Sequence, residues 1–492
     1  MQTQEMDLTT EIPPNRNDEA HALHRGLTSG QVAMIGLSGA LGTGLFLGSA
    51  SMIKVAGPGI ILSYTLTGLL MLIVVWALAE MTVVHPVAGG FGATAHAYLG
   101  PLGGWLMRWN VAAVMCIAVG VEVVATGSYL HWFWPQLGIG AGTVLSSVLI
   151  VLINMATVKA YGTSEYWFSI IKVATVVAFI ILGLVLLFVG LPGRTPIGIG
   201  NFTGGQGWEG FAPFGLKGIL VGAVMAVFSF GGAENVAVAS AESENPERDV
   251  PRAARAMGVH LVVFYVGAIA IVIGLQPWKQ SGASDGGVMT SPFVKVLEMA
   301  NVPGAAHLMT FVLITAALSA GNGCLYASTR MLHSLALDRM APRAIARTSA
   351  HGAPRNAVAL ATVGMAFASV LSIIDPKGAF MTLYGILVFG LLTTWVLITM
   401  TYIAFTVRRR RLGLPVGSAR LMGGAATAGF ALACFAAIYA ALGFIKGLSI
   451  ALPTGVPYIL LLTVAFFLVR RRVGTFPPSV LEEELAARAQ PQ

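Results

Sequence analysis

The sequence predicts an all-α polytopic membrane protein with twelve transmembrane helices, and three observations predict it. Apolar residues come in blocks of roughly twenty, the length at which a helix crosses a bilayer. Hydrophobic residues make up 56% of the 492 positions and charged residues 10%, where a soluble chain carries about 25% charge. The cations are also one-sided. Threading the blocks in order places Arg16, Arg25, Lys159, Arg248, Arg252, Arg255, Arg339, Arg343, Arg347, Arg355, Arg408 to Arg411 and Arg470 to Arg472 on one face of the membrane. The other face holds isolated cations such as Lys54, Arg194, Lys217, Lys279, Lys377 and Lys446. The arginine-rich face is cytoplasmic by the positive-inside rule. Both termini then face the cytoplasm, and the number of spans is even. Topology thus accounts for the net charge of +8 without a nucleic-acid partner.

Residues 1–29 form a cytoplasmic N-terminal tail that lacks the apolar core of a signal peptide, so the first span acts as an uncleaved signal. The predicted spans are 30–53, 58–84, 101–130, 141–158, 165–190, 213–240, 256–275, 303–334, 356–374, 378–407, 421–442 and 454–470, followed by a cytoplasmic tail over 473–492. Between spans 7 and 8, Pro292 near the start of an apolar stretch marks a short extracellular helix over Ser291 to Ala300. Trp132, Trp134, Trp208 and Trp278 sit at outer ends, as an interfacial aromatic belt requires. The single cysteines Cys116, Cys324 and Cys434 lack metal-ligand spacing and read as packing residues.

Two spans are broken by glycine. Span 1 carries Gly39-Ala40-Leu41-Gly42-Thr43-Gly44-Leu45-Phe46, and span 6 carries Phe228-Ser229-Phe230-Gly231-Gly232-Ala233-Glu234-Asn235. Span 1 enters from the cytoplasm and span 6 from outside. Paired breaks in opposite orientation are the mark of a five-plus-five inverted repeat. Spans 1–5 (residues 30–190) then oppose spans 6–10 (213–407), with spans 11 and 12 (421–470) appended, and spans 1 and 6 are discontinuous. Unwinding at Gly42-Thr43-Gly44 presents amide N–H groups at the start of the outer half-helix, an anion site suited to a substrate carboxylate. Carbonyls freed at the ends of the inner half of span 1 and the outer half of span 6 suit an ammonium group. The alternative is that these glycines serve helix packing, since Gly44 and Gly48 have small-xxx-small spacing.

Ionisable groups at bilayer depth are costly and need a partner, a cavity or a shifted pKa. Glu122 lies near the middle of span 3, Glu234 at the break in span 6, and Lys172 about two turns into span 5. Glu122 and Glu234 are the candidate proton carriers, with a structural ion pair or a protonated hydrogen-bonding group as the alternative. Glu80, near the inner end of span 2, reads as structural. His85, His96, His260 and His333 are scattered and read as satisfied polar residues. The absence of a phosphate-binding loop excludes an ATP-driven pump, and no cofactor or metal is expected. The run Arg408 to Arg411 reads as a topology anchor in contact with anionic lipid head groups.

Over nearly its whole length the chain resembles the proton-coupled amino acid permeases of the amino acid–polyamine–organocation superfamily, specifically the bacterial amino acid transporter family with its aromatic, lysine and GABA permeases. The resemblance rests on Leu23-His24-Arg25-Gly26-Leu27, Gly42-Thr43-Gly44-Leu45-Phe46-Leu47-Gly48-Ser49, Ala56-Gly57-Pro58-Gly59, Ala79-Glu80-Met81, Pro86 and Gly89-Gly90-Phe91. It continues through Glu165-Tyr166-Trp167-Phe168 with Lys172, Glu242-Ser243-Glu244-Asn245-Pro246 with Val250-Pro251-Arg252-Ala253, and Tyr326-Ala327-Ser328-Thr329-Arg330-Met331-Leu332 with Ala341-Pro342 and Gly352-Ala353-Pro354. It implies uptake of an amino acid with a proton across the cytoplasmic membrane by alternating access. It assigns Gly42, Thr43 and Gly44 to the substrate carboxylate. The span 6 break, Phe228, Ser229, Phe230, Gly231 and Glu234, goes to the amine. Phe228 serves as the gate, with Phe230 as the nearby alternative. Lys172 matches a lysine that replaces a sodium ion, and Glu122 and Glu234 match acidic positions of the family. Departures from the pattern fall at Asn110-Val111-Ala112, Asn235, Ser240-Ala241 and His333, where substrate specificity is to be sought.

The leading function is therefore secondary active import of an amino acid by proton symport. An exchanger that needs internal substrate is the alternative within transport. A sensor that binds without transporting is disfavoured because the tails are short, and an enzyme because no nucleophile–base pair or metal cluster is evident.

Overall fold

The computed structural model describes residues 28, 30–31, 34, 41–87, 89–155, 158–191, 195–239, 243, 245–281, 291–349, 353–375, 379–416, 424–443, 445, 448 and 450–489. The predicted N-terminal tail, most of the inner half of span 1, Ser240-Ala241-Glu242, Glu244 and Gly352 lie outside the described residues. Every regular element among those described is a helix.

A π-helical turn over Gly44–Gly48 runs into α1 (Ser49–Ala56). Gly57, at φ 61°, caps α1 by donating its N–H to Ile53, and a short turn leads to α2 (Ile60–Val84). Next come α3 (Gly90–Phe133), α4 (Ile139–Met155) and α5 (Val158–Phe188). The second group is α6 (Gly215–Phe230), α7 (Asn235–Ala239), α8 (Pro246–His260), α9 (Ala268–Leu275), α10 (Pro292–Met299), α11 (Ala305–Leu337), α12 (Arg355–Ile374) and α13 (Ala379–Arg411). The chain closes with α14 (Ala425–Leu442), α15 (Ala451–Val473) and α16 (Val480–Ala489). The short outer helix expected over 291–300 is α10. Among the described residues nine helical stretches are long and apolar enough to cross a membrane, and Ile139–Met155 and Arg355–Leu371 are shorter apolar helices.

Several elements begin earlier than the apolar pattern foretells, and in two of them polar residues are buried by partners distant in sequence. The span expected from residue 101 is the second part of α3, which starts at Gly90 and kinks at Gly100 (φ 83°) ahead of Pro101, whose ring has no N–H to give the helix. Within α3, His96 Nδ1 lies 3.0 Å and Arg108 Nη1 2.7 Å from Asp338, just past the end of α11. The span expected from residue 165 starts at Val158, because Glu165 is satisfied inside the bundle. The span expected from residue 256 is preceded by the amphipathic α8 and joined to α9 by a π-helical stretch, Leu261–Gly267.

Helices α3 and α11 pack along each other as the axle of the bundle. Their most apolar windows are 78% buried, against 11% for α15, so α3 and α11 form scaffold while α15 faces outward. Leu460, Leu461, Val464 and Phe467 on α15, and Val363, Phe367, Val370 and Ile374 on α12, are exposed. Exposed apolar rows of this kind mark a surface that meets lipid or another apolar partner.

The arginine run at the end of α13 is not a uniform lipid anchor. At about 100° per residue, successive side chains point to different sides; Arg408, Arg410 and Arg411 are exposed while Arg409 is buried. Arg409 forms a two-pronged bond with Glu484 of α16 at 2.6 and 3.1 Å, and reaches Tyr98 Oη at 3.1 Å and the Pro415 carbonyl at 2.6 Å. The C-terminal tail is thereby docked as a helix, with Leu481 buried beneath it.

Candidate functional site

The two glycine-rich segments meet at the centre of the bundle. Helix α6 stops at Phe230; Gly231 is extended (φ −61°, ψ 138°), Gly232 is left-handed (φ 97°), and helix resumes at Asn235. Glu234 turns its carboxylate back on this break, where Oε2 accepts the Gly232 N–H at 3.1 Å. On the facing side, Leu41 and Gly42 are non-helical and helix begins at Thr43. The approach is too close for side chains. A Cβ on Gly44 would lie 2.8 Å from Ser229 Cα and 2.9 Å from Phe228 Cδ1, and one on Gly42 would lie 2.9 Å from Glu122 Oε1. Glycine here serves close packing and local unwinding together.

Between the segments is a cavity of about 20 Å³, lined by Gly42, Gly44, Glu122, Phe228, Gly231 and Cys324, with Met115 and Ala118 of α3 and Leu387 and Leu391 of α13 completing its wall. That is room for about one water molecule. Its walls part before anything the size of an amino acid enters. Phe228 projects into the cavity and rests edge-on against Tyr384, ring centres 4.9 Å apart. Ser229 and Phe230 turn away from it. Ser229 Oγ pairs with Tyr64 Oη at 3.1 Å, its carbonyl accepts Tyr265 Oη at 2.7 Å, and Phe230 packs between Tyr64 and Tyr265.

Glu122 is buried beside the start of the span 1 helix, and its Oε1 accepts the Thr43 hydroxyl at 3.1 Å. Its Oε2, like Oε1 of Glu234, has no hydrogen-bond partner among the described residues. An unsatisfied buried carboxylate oxygen calls for a proton, a water or a ligand. Both amide atoms of Asn235 are in the same position.

Lys172 sits in a different setting. It is fully buried on α5 and donates to Ser319 Oγ of α11 at 3.0 Å. Ser319 in turn donates to Glu165 Oε2 at 2.7 Å, and Asn322 donates to Glu165 Oε1 at 2.5 Å. Asn154 of α4 donates its side-chain N–H to Asn322 Oδ1 at 2.6 Å. Sequence reasoning placed Lys172 but not Glu165, Ser319, Asn322 or Asn154. One signal was available. Tyr161, Glu165, Ser169, Lys172, Val176 and Phe179 are all buried, a spacing that marks the inward face of α5. Cys324, read as packing, lines the cavity, and the span 10 leucines escaped notice because nothing polar marks them.

Two other polar candidates are tied into the fold. Glu80 accepts Tyr402 Oη at 2.6 Å, and His85 bonds Tyr98 at 2.9 Å. Among the described residues no three His, Cys, Asp or Glu side chains converge as a metal site.

The family model described as "Amino acid permease" matches residues 31–472. The chain belongs to the amino acid permease family. Among its relatives, the gamma-aminobutyric acid permease of Bacillus subtilis (strain 168) is 37% identical over 367 residues, covering 75% of this chain and 76% of that one. The aromatic amino acid transport protein AroP of Escherichia coli (strain K12) is 36% identical over 394 residues, covering 80% of this chain and 84% of that one. This permease is accordingly a multi-pass membrane transport protein and not an enzyme, and the matched region spans both glycine breaks.

Proposed function

We propose that this permease imports an amino acid with a proton across the cytoplasmic membrane by alternating access. In this reading twelve spans form a five-plus-five inverted repeat with two added helices, spans 1 and 6 are discontinuous at the site, and both termini are cytoplasmic. The substrates named for the relatives, gamma-aminobutyric acid and aromatic amino acids, share an amine and a carboxylate. The carboxylate docks on the amide groups at Gly42, Thr43 and Gly44, and the amine on the carbonyls at the break after Phe228.

The observation that carries the reading is the contact between the span 1 glycines and Glu122. A Cβ on Gly42 would lie 2.9 Å from Glu122 Oε1, so a substrate carboxylate seated there stands within a few ångströms of a buried acid. Two like charges in that medium repel strongly, and a proton on Glu122 removes the repulsion. Substrate and proton therefore favour each other's binding, and the coupling is reciprocal. Glu234, which accepts the Gly232 N–H at the second break, is the other acid available for protonation, and Lys172, buried on α5, is the third group assigned to proton coupling. Phe228 is the residue that opens and closes over the substrate.

The test is uptake by purified protein in sodium-free liposomes under an imposed inward proton gradient. Uptake is expected to follow the gradient and to be accompanied by internal acidification. Glu122→Gln is expected to lower gradient-driven uptake by at least about tenfold, the low end for loss of a proton-transfer group. Wild-type flux indifferent to the gradient, and requiring internal substrate, would replace symport with exchange.

A further inference from the structure

The Lys172 cluster lies outside the substrate cavity, and its hydrogen bonds have a forced direction. An ammonium group only donates and an ionised carboxylate only accepts. Ser319, 3.0 Å from Lys172 Nζ and 2.7 Å from Glu165 Oε2, must then receive from the lysine and give to the glutamate. The chain N–H···O–H···O is complete without rearrangement. Asn322 holds the other oxygen of Glu165 and is itself held by Asn154, so the acceptor is fixed by residues from three helices.

We infer that Lys172, Ser319 and Glu165 form a proton relay that carries the coupled proton away from the substrate site along α5, with Glu165 as its terminal acceptor. The inference rests on the proton-symport reading above. In the step itself a Lys172 N–H bond breaks as the proton joins the Ser319 oxygen. The Ser319 O–H bond breaks as its proton joins Glu165 Oε2. The products are a neutral amine, an unchanged serine and a carboxylic acid, and no electrons are transferred.

Placement gives the relay a direction. Glu165 lies seven residues before Lys172 on α5, about 10 Å nearer the N-terminal end of the helix. That end is cytoplasmic in the proposed topology. One turn further, Tyr161 stacks face to face on Tyr326 at 4.1 Å, and the Arg330 guanidinium covers Tyr326 at 3.9 Å. At the other end, Glu122 and Glu165 are the carboxylates close enough to act electrostatically on Lys172. Lys172 thus feels both the acid at the cavity and the acid at the relay's end. Among the described residues the titratable groups that act on it are Glu165 on α5, Glu122 on α3 and Cys324 on α11.

The test compares wild type with Glu165→Gln, which keeps the hydrogen-bonding shape and loses the proton acceptor, and with Ser319→Ala and Ser319→Thr. Three quantities are read in liposomes: substrate binding, counterflow without a pH gradient, and gradient-driven uptake across a pH series. The relay predicts that Glu165→Gln and Ser319→Ala lose gradient-driven uptake by about tenfold or more. Binding and counterflow should stay within about twofold of wild type, and Ser319→Thr should restore the pH profile. Gradient-driven uptake unchanged in Glu165→Gln and Ser319→Ala overturns the relay. Loss of binding and counterflow together with uptake also overturns it, leaving Glu165 a structural anchor. Wild type without gradient-driven uptake instead removes the symport reading, which is a different result from the first two.

Discussion

The cavity between the glycine breaks and the cluster around Lys172 lie near each other in one bundle and are built on opposite plans. The cavity is walled by backbone, methyl groups and one aromatic ring, and it leaves an oxygen of Glu122 unpartnered. The Lys172 cluster is a linked network: lysine, serine, glutamate and two asparagines hydrogen-bond to one another across α4, α5 and α11. A group left short of partners is one whose partner arrives and departs. A continuous chain of donors and acceptors has what a proton needs to move along it. Room for a ligand and a path for a proton are thus built differently, although both depend on buried carboxylates.

The sharpest attack on the cavity side is Gly42→Val. Its Cβ would meet Glu122 Oε1 at 2.9 Å and Ala320 Cβ at 3.2 Å, and the β-branched side chain also resists the non-helical backbone. Binding is expected to weaken by about fivefold to thirtyfold, the effect of overpacking by about one to two kcal/mol, as measured by titration of purified protein. Normal affinity would remove the span 1 segment from the site.

A smaller contrast separates the two phenylalanines. Phe228→Leu is expected to raise KM several-fold with little change in melting temperature, because Phe228 lines the cavity. Phe230→Leu is expected to lower melting temperature with KM nearly unchanged, because Phe230 is buried against Tyr64 and Tyr265. The reverse pattern would exchange their roles.

The smallest effect is expected far from both regions, at α16. Glu484 is held below the usual carboxylate range: burial alone would raise it, and the bonds and charge of Arg409, with His85 and Arg488, outweigh burial. His85 is pushed down to about 4, chiefly by burial and then by the Arg409 charge. Glu484 takes up fewer protons when α16 is docked than when it is free, whereas its own charge acts on His85 in the opposite sense to burial and Arg409. Docking is therefore fully supported above the ordinary carboxylate value of 4.5 and weakens as pH falls below it and Glu484 protonates. Hydrogen exchange over residues 480–489 is expected to speed up several-fold between pH 6 and pH 3 beyond its intrinsic pH dependence. Exchange that follows the intrinsic dependence alone would show that the ion pair does not hold the helix.

Much of this molecule was legible from local pattern. Block length, low charge and one-sided arginines are properties of segments, and each follows from the bilayer's demand that backbone be paired and charge kept at the edges. The glycine-rich segments were legible for a similar reason, since only glycine tolerates the close approach seen at Gly42 and Gly44. Helix starts were misjudged wherever a polar residue is buried, as at His96 and Glu165, because hydropathy scores a side chain as if it met lipid. The docked C-terminal helix was read as a tail because its stabilising partner, Arg409, is 75 residues away in sequence.

By itself, then, the sequence determined the class of molecule, the two glycine-rich segments, and the presence of Glu122, Glu234 and Lys172 within apolar stretches. Only the tertiary structure decided that Phe228 faces the cavity while Phe230 does not, that Glu234 turns back on its own break, and that Lys172 reaches Glu165 through Ser319. The physical reason is that periodicity along a helix tells which face a residue shares. What stands opposite that face is set by packing, here between residues 147 and 154 positions apart in the chain.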